Sequence, residues 1–143
     1  MNRHLSRMIA MQSLYEIRFR EGADTEEVLD RNIDEYSDKC EPDFIKGIVL
    51  GIAKEEAKID KIITDIASEW PLDQISLIDK VILQLSIYEM VIDKKNPPKV
   101  VMNEAVELSK QFGGDNSSKF VNGVLGSVYT KFEKEINNQS ETL

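Results

Sequence analysis

The sequence predicts an all-α protein of about seven helices, on three observations. Apolar residues recur at helical spacing along most of the chain, the period-two alternation of strands is almost absent, and Pro, Gly and turn clusters cut the chain into helix-length pieces. With 143 residues, 41% hydrophobic and 31% charged, the chain is long enough to build its own core and too apolar for a disordered chain of this charge. It is read as one domain over residues 1–143, without internal repeat, low-complexity tract or linker.

Each element has a local reason. From Arg3 to Arg20 apolar residues surround the helix axis, so this first helix should be central, and Glu21-Gly22 ends it. Asp24 can cap a second, acidic helix with Glu27 at N3, and Leu29, Ile33 and Tyr36 mark one face of it. Pro42 opens a third helix with the stripe Ile45, Ile48, Val49 and Ile52. A fourth carries Ile59, Ile62, Ile63, Ile66 and Trp70, and Pro71 stops it. Leu72 to Gln74 link to the longest helix, Ile75 to Asp93. Ile78, Val81, Ile82, Leu85, Tyr88 and Ile92 line one side of it, with Leu83, Ile87 and Met90 opposite, so both sides should be packed. Asn96-Pro97-Pro98 forbids continuation. The sixth helix runs from about Lys99 to Phe112 with Val101, Ala105, Leu108, Ser109 and Phe112 on one face, and Gly113-Gly114 stops it. The last opens at Asn116 or Ser117, with the core line Val121, Val124, Leu125, Val128 and Phe132. Its polar tail from about Asn137 should fray.

Composition excludes several classes of chemistry. Cys40 and His4 are the only cysteine and histidine, so an intrachain disulfide and the paired Cys/His metal sites are ruled out. Neither GxxxxGK[ST] nor GxGxxG occurs. The expectation is no metal, no cofactor and no catalysis. The longest stretch without Asp, Glu, Lys or Arg is Phe120 to Thr130, 11 residues, too short for a bilayer span. The N-terminus lacks a signal-peptide pattern, so a cytoplasmic protein without membrane contact is expected.

The net charge is −8, which disfavours non-specific binding to nucleic acid. Residues 1–20 nevertheless hold four Arg and one Glu, whereas residues 21–43 hold ten acids and two bases. An anionic partner would have a local landing strip in the first helix. Arg3, Arg7 and Arg18 fall within about 60° on one side of that helix, where guanidinium forks suit phosphates. The same arginines could instead neutralise the acidic second helix. Tyr15, near the stripe, could stack on a base or serve as core or rim.

Glu89 lies on the apolar line of the fifth helix. A buried acid needs partners, and a structural role is favoured over a catalytic one. It should accept from backbone N–H groups that open the sixth helix, near Lys99 to Met102. Glu104 and Glu107 share a face and read as solvated surface. The loop Gly113 to Ser118, with Lys119 beside it, has the small residues of a phosphate-binding helix start, which a plain helix connection also needs. Phe120 sits off the core line, a candidate exposed aromatic next to that loop.

The stretch Pro98-Lys99-Val100-Val101-Met102-Asn103-Glu104-Ala105-Val106-Glu107-Leu108-Ser109-Lys110-Gln111-Phe112-Gly113, followed by Ser118-Lys119-Phe120-Val121-Asn122-Gly123-Val124-Leu125, resembles the NusB family. Ile82 to Glu89 and Arg3 to Tyr15 are similar to its fifth and first helices, so the likeness spans nearly the whole chain and is weakest over residues 21–43. It implies an all-α fold of two perpendicular helical subdomains and no reaction. It implies binding of boxA-type single-stranded RNA together with the ribosomal small-subunit protein NusE. That binding would serve rRNA operon transcription by the RNA polymerase antitermination complex. RNA contacts would come from Arg3, Arg7 and Tyr15, and from Asn116, Lys119 and Phe120, where the first helix would meet the loop and start of the last helix. Asp79 would face the protein partner.

The chain departs from the pattern in a thinner N-terminal basic cluster, in Gln84 where an Arg is usual, and in Asn116 where an acid is common. Fewer positive charges would make a cooperating partner more important, and an Asn at 116 acts the other way. A homodimer of the free chain is left open. Two other readings stand beside the adaptor. One is a relative of the N-terminal domain of RNA cytosine methyltransferases, for which 143 residues leave no room for a methyl-donor domain. The other is a protein-only scaffold of the same fold without RNA recognition.

Overall fold

The computed structural model describes residues 2–68 and 74–141, with side chains to Asn137. It is helical throughout, with no strand among the described residues. The helices are α1 (Arg3–Phe19), α2 (Thr25–Tyr36), α3 (Pro42–Lys54), α4 (Glu56–Ile66), α5 (Leu77–Ile87), α6 (Pro98–Phe112), α7 (Ser117–Lys131) and α8 (Glu133–Glu141). They form two compact units, Met1–Lys54 and Glu55–Leu143.

In the N-terminal unit α1 packs against both α2 and α3, as apolar residues around its axis require. Asn2 caps it, its side chain accepting from the Leu5 N–H at 2.9 Å. Ile9, Ala10, Met11 and Leu14 of α1 are buried with Val28, Leu29 and Ile33 of α2 and with Ile45, Ile48, Val49 and Ile52 of α3. Burial of each large aliphatic side chain is worth about 1.5–3 kcal/mol. Asp24 caps α2, accepting from the N–H groups of Glu26 and Glu27. A 3₁₀ turn, Ser37–Lys39, leads to Cys40, which is buried; burial pushes its thiol pKa up and leaves it a poor nucleophile.

In the C-terminal unit α5 is the central element, packed against α4, α6 and α7. Its buried residues, Val81, Ile82, Leu83, Leu85 and Ile87 among them, encircle the axis, as its two stripes predict. It continues as a π-helical segment, Tyr88–Asp93, which ends at Lys94 in the left-handed region at φ 60°. Glu89 in this segment is 2% exposed and accepts from Asn96 Nδ2 at 3.0 Å. Its burial is as expected, and the donor on view is a side chain in the loop ahead of α6. Gln84 is fully buried and donates through Nε2 to Asp60 Oδ1 at 2.8 Å. Asp60 in turn lies 4.0 Å from Lys80 Nζ. Gln84 thus has a carboxylate partner inside the unit.

Three boundaries differ from the sequence expectation. α4 ends at Ile66, with the Ala67 N–H donating to Ile63 O, and Trp70, Pro71 and Leu72 lie outside the described residues. The predicted last helix is two, because the chain turns at Phe132 before α8 begins, which makes eight helices among the described residues in place of about seven. Helix also continues to Glu141, beyond the point at Asn137 where fraying was expected, and Ile136 of α8 is buried.

Candidate functional site

The predicted site residues divide three and four between the two units. In the N-terminal unit, Arg3 sits in the first turn of α1 with its guanidinium over the Phe44 ring, 4.1 Å from the centroid. Its Nε and Nη2 donate to the two carboxylate oxygens of Glu41 at 2.6 and 2.8 Å. That is the parallel two-bond geometry by which an arginine also holds a phosphate. The Arg3 guanidinium keeps the Glu41 carboxyl below the ordinary glutamate pKa.

Arg7, one turn along, is only 5% exposed, with its guanidinium 5.5 Å from the same ring. It sits inside the unit rather than on a charged surface. The Arg3 fork goes to Glu41, which lies in the acidic stretch of residues 21–43, between α2 and α3. Two charges of α2 pair with neighbouring helices: Arg31 with Glu16 of α1, and Asp30 with Lys46 of α3 at 3.0 Å. Arg31, followed by Arg20, holds the Glu16 carboxyl below its ordinary value.

Tyr15 is half-buried and stacks on Phe19, with ring centroids 5.9 Å apart and planes 9° from parallel. Phe19 is 71% exposed, so α1 presents an aromatic pair. Stacked rings on an exposed helix face are a surface on which a base can lie.

In the C-terminal unit, the loop between α6 and α7 is drawn tight. A Cβ on Gly113 would come within 2.5 Å of the Ser117 side chain and 2.7 Å of Ser109 O, so only glycine fits. The Gly114 N–H then donates to Ser117 Oγ at 2.9 Å. Asn116 stands at the N-cap of α7 with no side-chain capping bond, and it and Lys119 are exposed while Phe120 is half-buried. These three line an open groove of about 650 Å³ together with Ser76 and Asp79 at the start of α5. An aromatic ring, a cation and an amide therefore share one concave surface.

Asp79 is 8% exposed, its N–H is held by Ser76 Oγ at 3.2 Å, and its Oδ1 has no hydrogen-bond partner among the described residues. A carboxylate oxygen buried without a donor is costly. At the first turn of α5 the helix dipole offsets part of that cost. The groove brings the RNA candidates Asn116, Lys119 and Phe120 together with the protein-partner candidate.

Sequence reasoning missed Glu41 and Phe44, which hold Arg3, and Phe19, which extends Tyr15. Glu41 lies 38 residues from Arg3, so no periodicity connects them. Phe19 is four residues from Tyr15, a spacing at which helical side chains meet. Among the described residues no three His, Cys, Asp or Glu gather as metal ligands would. No helix there is long and apolar enough to cross a membrane.

Residues 4–130 match the family model described as NusB family. The transcription antitermination protein NusB of Chloroflexus aggregans is 41% identical over 142 residues, covering 96% of this chain and 94% of that one. NusB of Bacillus pumilus is 37% identical over 135 residues, covering 94% of this chain and all of the relative. Among solved structures, T. maritima NusB superposes with a TM-score of 0.88 at 29% identity, covering 100% of this chain and 99% of that one. A chain from the crystal structure of antitermination factors NusB and NusE in complex with dsRNA gives 0.79 at 26% identity, covering 92% and 99%. Both relatives are named as transcription antitermination proteins. With its helices matched end to end by a solved NusB and its sequence matched over nearly its full length, the chain belongs to the NusB family.

Proposed function

We propose that this chain is a transcription antitermination adaptor. It binds boxA-type single-stranded RNA together with the ribosomal small-subunit protein NusE, in support of rRNA operon transcription by the RNA polymerase antitermination complex. The observation that carries the reading is the groove in which Lys119 and Phe120 stand beside Asn116 and Asp79. Single-stranded RNA is held by cations along its backbone and by bases stacked on aromatic rings, and this surface offers both in a chain of net charge −8. The likeness to a chain crystallised with NusE and double-stranded RNA supports NusE and RNA as the two classes of partner.

Within this reading Arg3, Tyr15, Asn116, Lys119 and Phe120 touch RNA. Arg7 supports Arg3 from beneath through the shared Phe44 ring, and Asp79 meets NusE at the edge of the groove. The acidic net charge makes binding of RNA alone weak and the protein partner necessary. The test is titration of a boxA-like RNA with and without NusE over a range of salt. Salt-dependent binding that tightens with NusE supports the adaptor. Binding of NusE without any effect on RNA would leave the protein-only scaffold.

A further inference from the structure

One of the two bidentate edges of the Arg3 guanidinium, the Nε/Nη2 side, is already occupied. Its Nε and Nη2 form a two-bond fork with Glu41, and a phosphate bound in the same manner needs the same edge. Phe44 holds the guanidinium from one face at 4.1 Å, which fixes where a phosphate would have to approach.

Glu41 is fixed as well. Its N–H donates to Ser6 Oγ at 2.9 Å, that hydroxyl donates to Asn2 O at 2.9 Å, and the Asn2 N–H donates to Lys39 O at 3.3 Å. The start of α1 and the residues just before α3 are thereby tied by backbone, and a carboxylate pushed off Arg3 stays in its neighbourhood. An exposed ion pair contributes little to a fold, and the Arg3 side chain is 43% exposed. Its larger effect is on a charged ligand that competes for the same fork.

We propose that Glu41 is a built-in competitor for the RNA backbone, occupying in the free protein the edge of Arg3 that takes a phosphate and thereby setting the strength of that contact. The inference rests on the reading of Arg3 as an RNA contact. Displacement costs RNA the Arg3–Glu41 pair, and the displaced carboxylate then repels the phosphate from close range. RNAs that cannot meet this cost through other contacts are rejected, so the competitor discriminates against non-specific anions.

The experiment compares the parent chain with Glu41→Gln, Arg3→Ala and the double variant, each titrated with boxA-like RNA in the presence of NusE at several salt concentrations. Glutamine keeps the size of the side chain and the backbone bond to Ser6, and thermal melts confirm equal folding. Glu41→Gln should bind about threefold to tenfold tighter at low salt. Its log–log salt slope should steepen by about 0.7, as expected when one more charge on the protein is free to neutralise a single strand. In the Arg3→Ala background the same substitution should change affinity by less than about twofold.

Equal or weaker binding by Glu41→Gln, with Arg3→Ala still weakened, overturns the inference and makes Glu41 a positioning residue or a bystander. If Arg3→Ala binds like the parent while Lys119→Ala and Phe120→Ala lose affinity, the inference falls and the RNA reading stands. Failure of the parent to bind the RNA with NusE overturns both.

Discussion

The side-chain amide of Asn96 donates to the buried carboxylate of Glu89 across 3.0 Å, joining the π-helical end of the α5 segment to the loop that precedes α6. The π turn is the local device: the Lys94 N–H reaches back to Glu89 O at 3.0 Å, five residues earlier, which reverses the chain and brings Asn96 over the carboxylate. A glutamate at 2% exposure is tolerable only with such donors.

Glu89→Ala should therefore destabilise the protein by about 1–3 kcal/mol, since the donors lose their acceptor inside the unit. Urea unfolding checks this. A loss below about 0.5 kcal/mol, the scale of an ordinary surface substitution, would remove Glu89 from the set of structural residues.

Gly113→Ala tests the loop that presents the groove. The added Cβ meets the backbone oxygen of Ser109 at 2.7 Å and the Ser117 side chain at 2.5 Å, and backbone cannot yield as a flexible side chain does. A cost of about 1–3 kcal/mol is expected. RNA affinity should fall with it, because Lys119 and Phe120 follow directly.

Cationic and aromatic contacts should separate by their salt dependence. Lys119→Ala should weaken RNA binding and flatten the salt slope by about 0.7. Tyr15→Ala and Phe120→Ala should each cost about 1–3 kcal/mol of binding with little change in slope. Arg7→Ala should differ from both: with Arg7 only 5% exposed, its loss should appear first in the melting temperature. RNA titrations and thermal melts of the four variants decide.

Asp79→Asn should lower NusE affinity while keeping the fold, since the side chain lines the groove and one oxygen has no partner to lose among the described residues. Asp79→Lys should weaken NusE binding more strongly through charge reversal. Burial adds a stability cost to that change, absent if the side chain were on an open face. Unchanged affinity of Asp79→Asn and Asp79→Lys in a NusE titration would take Asp79 out of the interface.

The pairs at Glu41 and Glu16 make a prediction about acid. Arg3 lowers the folded-state pKa of Glu41, and Arg31 that of Glu16. Each contribution to stability is therefore present above the ordinary glutamate value and is lost as the pH falls through the lowered one. The loss should begin below about pH 4.3. Carboxyl titration by NMR should place both glutamates below the ordinary glutamate value, and Arg3→Ala should raise Glu41 alone.

The sequence by itself determined the helices and most of their ends, because caps, prolines and apolar spacing act within a few residues. Asp24 caps α2, Pro42 and Pro98 open α3 and α6, and α5 is buried on both of its predicted sides, through Val81, Ile82 and Leu85 on one and Leu83 and Ile87 on the other. It also marked Glu89 as buried, since a carboxylate set on an apolar line is carried into the core with its neighbours, and the motif around Lys119 and Phe120 carried the family. What only the tertiary structure decided is which charges meet. Arg3 and Arg7 look alike on a helical wheel, yet Arg3 is exposed and paired with Glu41 while Arg7 is buried over Phe44. Partners 38 residues apart leave no trace in local spacing. Burial of a long side chain depends on what packs above it, and for Arg7 that is settled only when α3 lies against α1.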